Sequence, residues 1–147
     1  MIMNHLDETL IANDGNRYSL NDFKGQPLIL YFYPKNNTPG CTMEARDFTA
    51  LAGDFADKGY KIVGVSKDKP KSHQNFKEKH DLGILTLSDS DEVLIKAFDV
   101  LKEKTMYGKT FIGVERSTFI LDENLEIIKS LRGVKAKGHA EEVLRLL

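Results

Sequence analysis

The order of apolar and polar positions along the chain predicts a strand, a long helix and a second strand. Residues 27–33 form a nearly continuous apolar run, which is typical of a strand buried on both faces, and residues 60–66 form another. Between them, residues 42–58 place apolar side chains at the i, i+3, i+4, i+7 spacing of a helix with one buried face. Gly59 then stands where glycine commonly caps a helix.

Weaker patterns on both sides of this unit predict the remaining elements. They are a helical turn over 18–23, a helix from Pro70 to about Lys79, a short strand over 85–87, a short helix over 91–97, strands over 117–121 and 125–130, and a helix over 138–147. The last two strands form a hairpin, in which we expect Asn124 to take the left-handed conformation. We therefore predict an α/β fold, one domain over residues 1–147, with a central mixed β-sheet flanked by helices.

Composition excludes several classes of partner. The formal net charge is -1, so there is no basic excess to bind a phosphate backbone, and we expect no nucleic acid. No apolar run approaches the ~20 residues of a membrane span. The first residues lack the basic start and apolar stretch of a secretory signal. We therefore expect a cytoplasmic protein that does not bind membranes.

The chain contains one cysteine, Cys41, and four histidines. A single cysteine excludes a Cys-x-x-Cys redox pair and an internal disulfide. The histidines are scattered without metal-ligand spacing, so we expect no metal site. We interpret one of them, His73, as a structural hydrogen-bonding residue.

Cys41 ends the segment 34–41, which joins the first buried strand to the long helix. Ligands in open α/β sheets bind beyond the carboxyl ends of strands, and the start of a helix offers unpaired N–H groups that favour a thiolate. A helix terminus supplies only about 0.3–1 kcal/mol, whereas ionising most of an ordinary thiol at neutral pH takes about 3 kcal/mol. Glu44 and Asp47 lie one turn away and oppose ionisation, so a cationic partner is needed.

Arg116 is the candidate cation, because it directly precedes the strand over 117–121. If that strand runs antiparallel beside residues 27–33, its beginning lies next to the cysteine loop. A guanidinium in that place can hold a thiolate by charge and by hydrogen bonds.

Within the loop, Thr38 and Pro34 are further candidate site residues. Spacing alone leaves Thr38 open as a turn residue, a helix cap or a hydroxyl that orients a substrate. Pro34 ends the strand and is also expected to shape the site. We interpret Asn36 and Asn37 as plain loop.

The segment Pro34-x-x-x-Thr38-x-x-Cys41 resembles the active-site motif of peroxiredoxins. A longer stretch, residues 31–45, is similar to the bacterioferritin-comigratory-protein (PrxQ) branch of that family. The similarity continues through Ser66-x-Asp68, His73-x-x-Phe76, Leu87-Ser88-Asp89, residues 113–120 and residues 134–140. Separate matches in the same order along residues 10–147 are not expected by chance.

The resemblance implies a thioredoxin-like fold, with Cys41 as the peroxidatic cysteine and Pro34, Thr38 and Arg116 as its supporting residues. It also implies a monomer that uses no metal and no organic cofactor. The implied activity is that of a thiol-dependent peroxidase acting on hydrogen peroxide and organic hydroperoxides. Attack on the peroxide leaves Cys41 as a sulfenic acid, and an external thiol then resolves it; thioredoxin, glutaredoxin and small thiols are the candidate reductants.

Two features depart from the family pattern. Many members of this branch carry a resolving cysteine five residues after the peroxidatic one, where this chain has Arg46. Others carry it in a later helix, but Cys41 has no second cysteine to pair with, so the chain resembles a one-cysteine peroxiredoxin. Members also usually open with a longer stretch containing Ala-Pro, so we expect a shortened first strand.

Three other functions remain as alternatives. A disulfide reductase of the thioredoxin type needs Cys-x-x-Cys and usually a proline where Arg116 stands, and both are absent. A thioredoxin-fold redox sensor or interaction module uses Cys41 without efficient turnover. An inactive scaffold carries Cys41 only as a small buried apolar side chain. Renewed peroxide consumption with a thiol supply distinguishes a peroxidase from the last two.

Overall fold

A mixed β-sheet forms the centre of the computed structural model, which describes residues 2–147. The strands are β1 (Leu10–Ala12), β2 (Arg17–Tyr18), β3 (Leu28–Phe32), β4 (Lys61–Ser66), β5 (Leu85–Ser88), β6 (Leu101–Met106), β7 (Lys109–Val114), β8 (Ser117–Leu121) and β9 (Ile127–Leu131). The helices are α1 (Pro39–Asp57), α2 (Pro70–His80), α3 (Val93–Ala97) and α4 (His139–Arg145), with 3₁₀ turns at Ile2–His5 and Leu20–Phe23. Within this range, no helix combines the length and the apolar character needed to cross a bilayer.

The central sheet has the strand order β2-β1-β5-β4-β3-β8-β9. β4 pairs in parallel with both β3 and β5, whereas β8 runs antiparallel to β3, and β9 antiparallel to β8. Parallel neighbours need a crossover of a dozen or more residues, which the segments containing α1 and α2 supply. The predicted mixed sheet flanked by helices is confirmed, and β1 comprises three residues.

β3 lies inside the sheet, and every one of its residues is buried. Leu30 and Phe32 pack into an apolar layer on one face, and Ile29 and Tyr31 pack into a second layer on the other, together with Phe48 of α1. Because successive strand residues point to opposite faces, burial on both faces requires an unbroken apolar run. This is why the sequence predicted β3 so clearly.

The helix that carries the cysteine begins earlier than predicted. α1 starts at Pro39 rather than at residue 42, with Thr38 in extended conformation at the N-cap position. Proline suits the first helical position, because it has no N–H to leave unpaired and its φ is already helical. Cys41 therefore lies inside the first turn of α1 rather than before it.

The hairpin between β8 and β9 turns at a different residue from the one predicted. Leu125, rather than Asn124, has the positive φ of 66°. The side chain of Asp122 accepts hydrogen bonds from the backbone N–H groups of Asn124 and Glu126, at 2.8 and 3.0 Å. This Asx turn fixes the loop from its first residue, so the left-handed position falls one residue later.

A second hairpin, formed by β6 and β7, was absent from the sequence prediction. Its two-residue turn consists of Tyr107 and Gly108, with φ values of 53° and 77°. Positive φ at both positions matches the twist of the adjoining strands. β6 carries three charged residues, and β7 exposes its apolar residues Phe111 and Ile112, so neither strand shows the apolar alternation that reveals a buried strand.

The substitution Gly64→Ala tests the close approach of β4 to the central strand. Gly64 is paired with Tyr31, and a Cβ on it would lie 2.8 Å from Cζ of that buried ring. We expect a loss of about 1–3 kcal/mol in the free energy of unfolding, measured by urea titration, because the ring has no room to move.

Gly53→Ala is the matched control. Gly53 lies on the exposed side of α1, and a Cβ added to it would meet no atom of a neighbouring element within 4 Å. Alanine should therefore stabilise the helix by about 0.5–1 kcal/mol. Equal stability of the two variants would contradict the close packing of Tyr31 against Gly64.

Candidate active site

The first turn of α1 places Cys41 beside unpaired backbone donors. The first hydrogen bond of the helix runs from the N–H of Thr42 to the carbonyl of Thr38, at 2.9 Å. The N–H groups of Gly40 and Cys41 precede it and have no acceptor inside the helix, while Pro39 has no N–H at all. Two backbone donors therefore belong to the same turn as the sulfur, where they favour negative charge.

Arg116 reaches this turn because of how β8 pairs with β3. Ser117 lies opposite Phe32, so Arg116 stands at the end of the sheet where the chain leaves β3 for the cysteine loop. The guanidinium Nη2 lies 3.4 Å from Sγ of Cys41 and donates to it. The structure thus brings the cation and the cysteine into direct contact from positions that are far apart in the sequence.

The close contact depends on the absence of a side chain at Gly40. A Cβ at this position would lie 3.3 Å from Nη2 of Arg116 and 3.6 Å from Cβ of Ala136. The guanidinium therefore lies directly against the backbone of the first turn. A larger residue at position 40 would press on the group that contacts the sulfur.

Glu44 pairs with Arg116, a role that the sequence did not predict. It was expected to repel the thiolate, but its Oε1 accepts a hydrogen bond of 2.6 Å from Nη1 of Arg116. The carboxylate is 0% exposed, and burial raises its pKa to about 7 although Arg116 acts in the opposite direction. Arg116 therefore contacts both Glu44 and Cys41 and partly offsets the cost of burying their charges.

The sulfur itself is almost closed off from solvent. Cys41 is 2% exposed, and the side chain of Arg116 is 15% exposed. A small molecule that reaches Arg116 is therefore next to the sulfur, whereas a bulky partner has no direct path to it.

Thr38 occupies the N-cap position of α1, but its side chain does not cap the helix. Its hydroxyl instead donates to the carbonyl of Lys35, at 2.8 Å, and so closes the turn before the helix. Because a hydroxyl has one proton and two lone pairs, Thr38 remains able to accept a hydrogen bond from a ligand. Pro34 follows β3 closely and is half-buried at the start of the same loop.

The sequence suggested that Asn36 is plain loop, but in the structure its side chain is buried and it makes several hydrogen bonds. Its backbone N–H donates to Oδ2 of Asp68 at 2.9 Å, and its Oδ1 accepts from the hydroxyl of Tyr33 at 2.6 Å. Asp68 follows β4 as Asn36 follows β3. Polar residues after neighbouring parallel strands meet at one edge of a sheet, and this signal was available in the sequence.

Lys104, on the hairpin that the sequence did not predict, is a second cation near the site. Its Nζ donates to the carbonyl of Val114, two residues before Arg116, at 2.5 Å. Partial burial lowers its pKa, and the charge of Arg116 acts in the same direction. Over residues 2–147, no group of three or more His, Cys, Asp or Glu side chains is arranged to hold a metal ion.

Comparison with known proteins gives consistent results at the levels of family, sequence and structure. Residues 5–130 match the AhpC/TSA family. Peroxiredoxin Bcp of Xanthomonas campestris pv. campestris is 48% identical over 96% of this chain and 88% of its own, and peroxiredoxin Bcp of Bacillus subtilis is 46% identical over 96% and 90%. The chain belongs to the AhpC/TSA family.

Similar solved structures show to which branch of the peroxiredoxins the chain belongs. A structure of the X. campestris bacterioferritin comigratory protein, described for alkyl peroxide reduction, superposes with a TM-score of 0.93. It is 45% identical and covers 98% of this chain and 92% of its own. The chain is thus a peroxiredoxin of the bacterioferritin-comigratory-protein branch, and the expected thioredoxin-like fold is confirmed. Peroxiredoxins of this kind are thiol-dependent peroxidases.

Glu44→Gln tests the buried ion pair of this peroxiredoxin through the pH dependence of stability. Burial raises the pKa of Glu44 from 4.5 to about 7, so the folded parent binds more protons than the unfolded chain between these pH values. The stability of the parent relative to the variant should fall as pH rises from 4.5 to about 7, by at most about 3 kcal/mol, and then level off.

Urea unfolding of parent and variant at a series of pH values measures this difference. Other titrating groups, including the buried His73, are present in both proteins and cancel. A difference that rises with pH would mean that the Arg116 contact, and not burial, controls the carboxyl group.

Proposed function

We propose that this peroxiredoxin reduces hydrogen peroxide and organic hydroperoxides through Cys41, with Arg116, Thr38 and Pro34 as supporting residues. The observation that carries the proposal is the contact of 3.4 Å between the guanidinium of Arg116 and the sulfur. The X. campestris relative described for alkyl peroxide reduction supports the inclusion of organic hydroperoxides. The cytoplasmic location and the monomeric state stay predictions.

In the first half-reaction, the thiolate of Cys41 attacks one peroxide oxygen. An S–O bond forms as the O–O bond breaks, and the departing oxygen takes a proton and leaves as water or an alcohol. Ionisation of a thiol alone gains only about 30-fold in reactive species, so the reaction also requires stabilisation of the charge on the departing oxygen. Arg116 supplies this, because its donors already lie beside the sulfur.

Thr38 orients the peroxide in this proposal. Its hydroxyl proton is used on Lys35, so it acts as the acceptor for the O–H of the peroxide. The turn that this bond closes also fixes the hydroxyl relative to Cys41, and Pro34 holds the start of the loop. A fixed acceptor aligns the O–O bond for attack by the sulfur.

In the second half-reaction, a thiol from another molecule attacks the sulfenic acid of Cys41. Water leaves, a mixed disulfide forms, and a second thiol releases reduced Cys41. An external thiol is needed because the sequence contains no other cysteine. Since Cys41 is 2% exposed, the first turn of α1 must open before a bulky thiol can reach it.

A single-turnover assay with Cys41→Ser tests the reaction. Without thiol, the parent should consume one peroxide per chain and gain one oxygen at Cys41, detected by mass spectrometry, whereas the variant should consume none. Addition of thioredoxin, glutaredoxin or a small thiol should then restore peroxide consumption in the parent.

Two results would refute parts of the proposal. Peroxide consumption by Cys41→Ser at the parent rate would exclude the cysteine mechanism. One round of oxidation that no thiol donor renews would instead identify a redox sensor.

The pair Thr38→Val and Thr38→Ser tests the hydroxyl. Valine keeps the shape of threonine but removes both the acceptor and the hydrogen bond to Lys35, so the rate constant for oxidation of Cys41 by peroxide should fall on the order of 10²-fold. Serine keeps the hydroxyl and should retain most of the rate. Stopped-flow measurement of both variants tests the hydroxyl, since equal losses would assign the effect to the methyl group that serine lacks and not to the hydroxyl.

A further inference from the structure

A chain of polar side chains runs through the protein interior from β5 to the cysteine loop. It consists of Thr86, His73, Ser66 and Asp68 and ends at the backbone of Asn36; we call it the Asp68 relay. Ser66, His73 and Thr86 are 0% exposed. Burying a polar group costs free energy unless the group is hydrogen-bonded. Every side chain of the relay makes such a bond to the next.

The hydrogen bonds of the relay have a defined direction. Ser66 donates its single hydroxyl proton to Oδ2 of Asp68 at 2.7 Å, so its oxygen accepts from Nε2 of His73 at 3.1 Å. The other ring nitrogen, Nδ1, then accepts from the hydroxyl of Thr86 at 2.9 Å. Burial lowers the pKa of His73 to about 4, so the ring is neutral, as this arrangement requires.

The relay ends at the loop that carries Thr38. Oδ2 of Asp68 accepts the backbone N–H of Asn36 at 2.9 Å. The amide group of Asn36 also donates to Ser72 at 3.2 Å. The next residue, Asn37, turns the chain with a φ of 64°, a left-handed conformation that asparagine tolerates. Asp68 therefore holds the loop immediately before the threonine and the cysteine.

We propose that Asp68 is a positioning residue that holds the cysteine loop in its closed form. This inference rests on the proposed function. Within residues 2–147, no hydrogen bond joins the relay to Cys41 or Arg116, so its influence passes through the loop backbone. Attack on peroxide requires the closed loop, whereas reaction with a bulky thiol requires an open first turn. Weakening the relay therefore slows the first half-reaction and speeds the second.

The experiment compares Asp68→Ala, Asp68→Asn and Ser88→Ala in separate half-reactions. Alanine removes the acceptor of the Asn36 N–H, and asparagine restores a weaker one. Ser88→Ala is the matched control, because Ser88 donates to the backbone carbonyl of Asp68 at 2.6 Å and leaves the carboxylate in place. Stopped-flow oxidation by hydrogen peroxide gives the first rate, and reduction of the preformed sulfenic acid by reduced thioredoxin, a bulky protein thiol, gives the second.

For Asp68→Ala we expect oxidation about 10-fold slower or more, and faster reduction of the sulfenic acid, since a charge-assisted hydrogen bond is lost. Asp68→Asn should lie between the alanine variant and the parent, and Ser88→Ala should match the parent. The proposal is overturned if both half-reactions slow together, if neither changes, or if the control behaves as Asp68→Ala does.

Amide hydrogen exchange tests, without peroxide, whether Asp68 holds the cysteine loop closed. Asp68→Ala should speed exchange at Asn36 and at Thr42, whose N–H makes the first bond of α1. Unchanged exchange at both would overturn the inference. A parent protein that consumes no peroxide would instead refute the proposed function, and the exchange result would still decide whether Asp68 holds the loop.

Discussion

The guanidinium of Arg116 contacts two acidic groups that are almost completely shielded from water. Glu44 is 0% exposed and Cys41 is 2% exposed, and the cation lies against both, at 2.6 Å and 3.4 Å. Buried charges are costly unless they are paired, so removing the cation would leave the carboxylate and a thiolate to repel each other. The antiparallel pairing of β8 with β3 brings Arg116 to this position, and Gly40 leaves space for it.

Sharing one cation links the charge of the carboxyl group to that of the sulfur. When Glu44 is ionised, Arg116 divides its attraction between two anions, and when Glu44 is protonated the guanidinium serves the sulfur alone. Because the pKa of Glu44 is raised to about 7 by burial, both forms are present near neutral pH. The electrostatic field at the sulfur thus depends on a proton held on the next turn of the same helix.

The sequence predicted those parts of the protein whose patterns follow from burial. β3 was evident because both of its faces are covered, and the position of Arg116 beside Cys41 followed from pairing its strand with β3. The pairing of Glu44 was missed because its partner, Arg116, lies 72 residues away and was assigned to Cys41 alone. Long-range contacts of this kind follow from the packing of elements and leave no local pattern.

The missed hairpin and loop contacts have similar physical causes. β6 and β7 pair mainly with each other and are largely exposed, so nothing requires their apolar residues to alternate. The turn at Tyr107 and Gly108 was the available signal. Asn36 resembled an ordinary loop residue because its buried contacts come from α2 and from the end of β4, and they emerge only when the ends of the two parallel strands are compared.

Five residues after Cys41, α1 exposes Arg46 and not a second thiol. Internal resolution would be unimolecular, with a rate independent of concentration. In this chain, the lifetime of the oxidised sulfur depends on how much reductant surrounds the protein. A second peroxide competes for the same atom during that lifetime and converts it irreversibly to sulfinic acid. Survival of the catalyst is therefore governed by the ratio of thiol to peroxide, so a burst of oxidant inactivates it most readily where reductant is scarce.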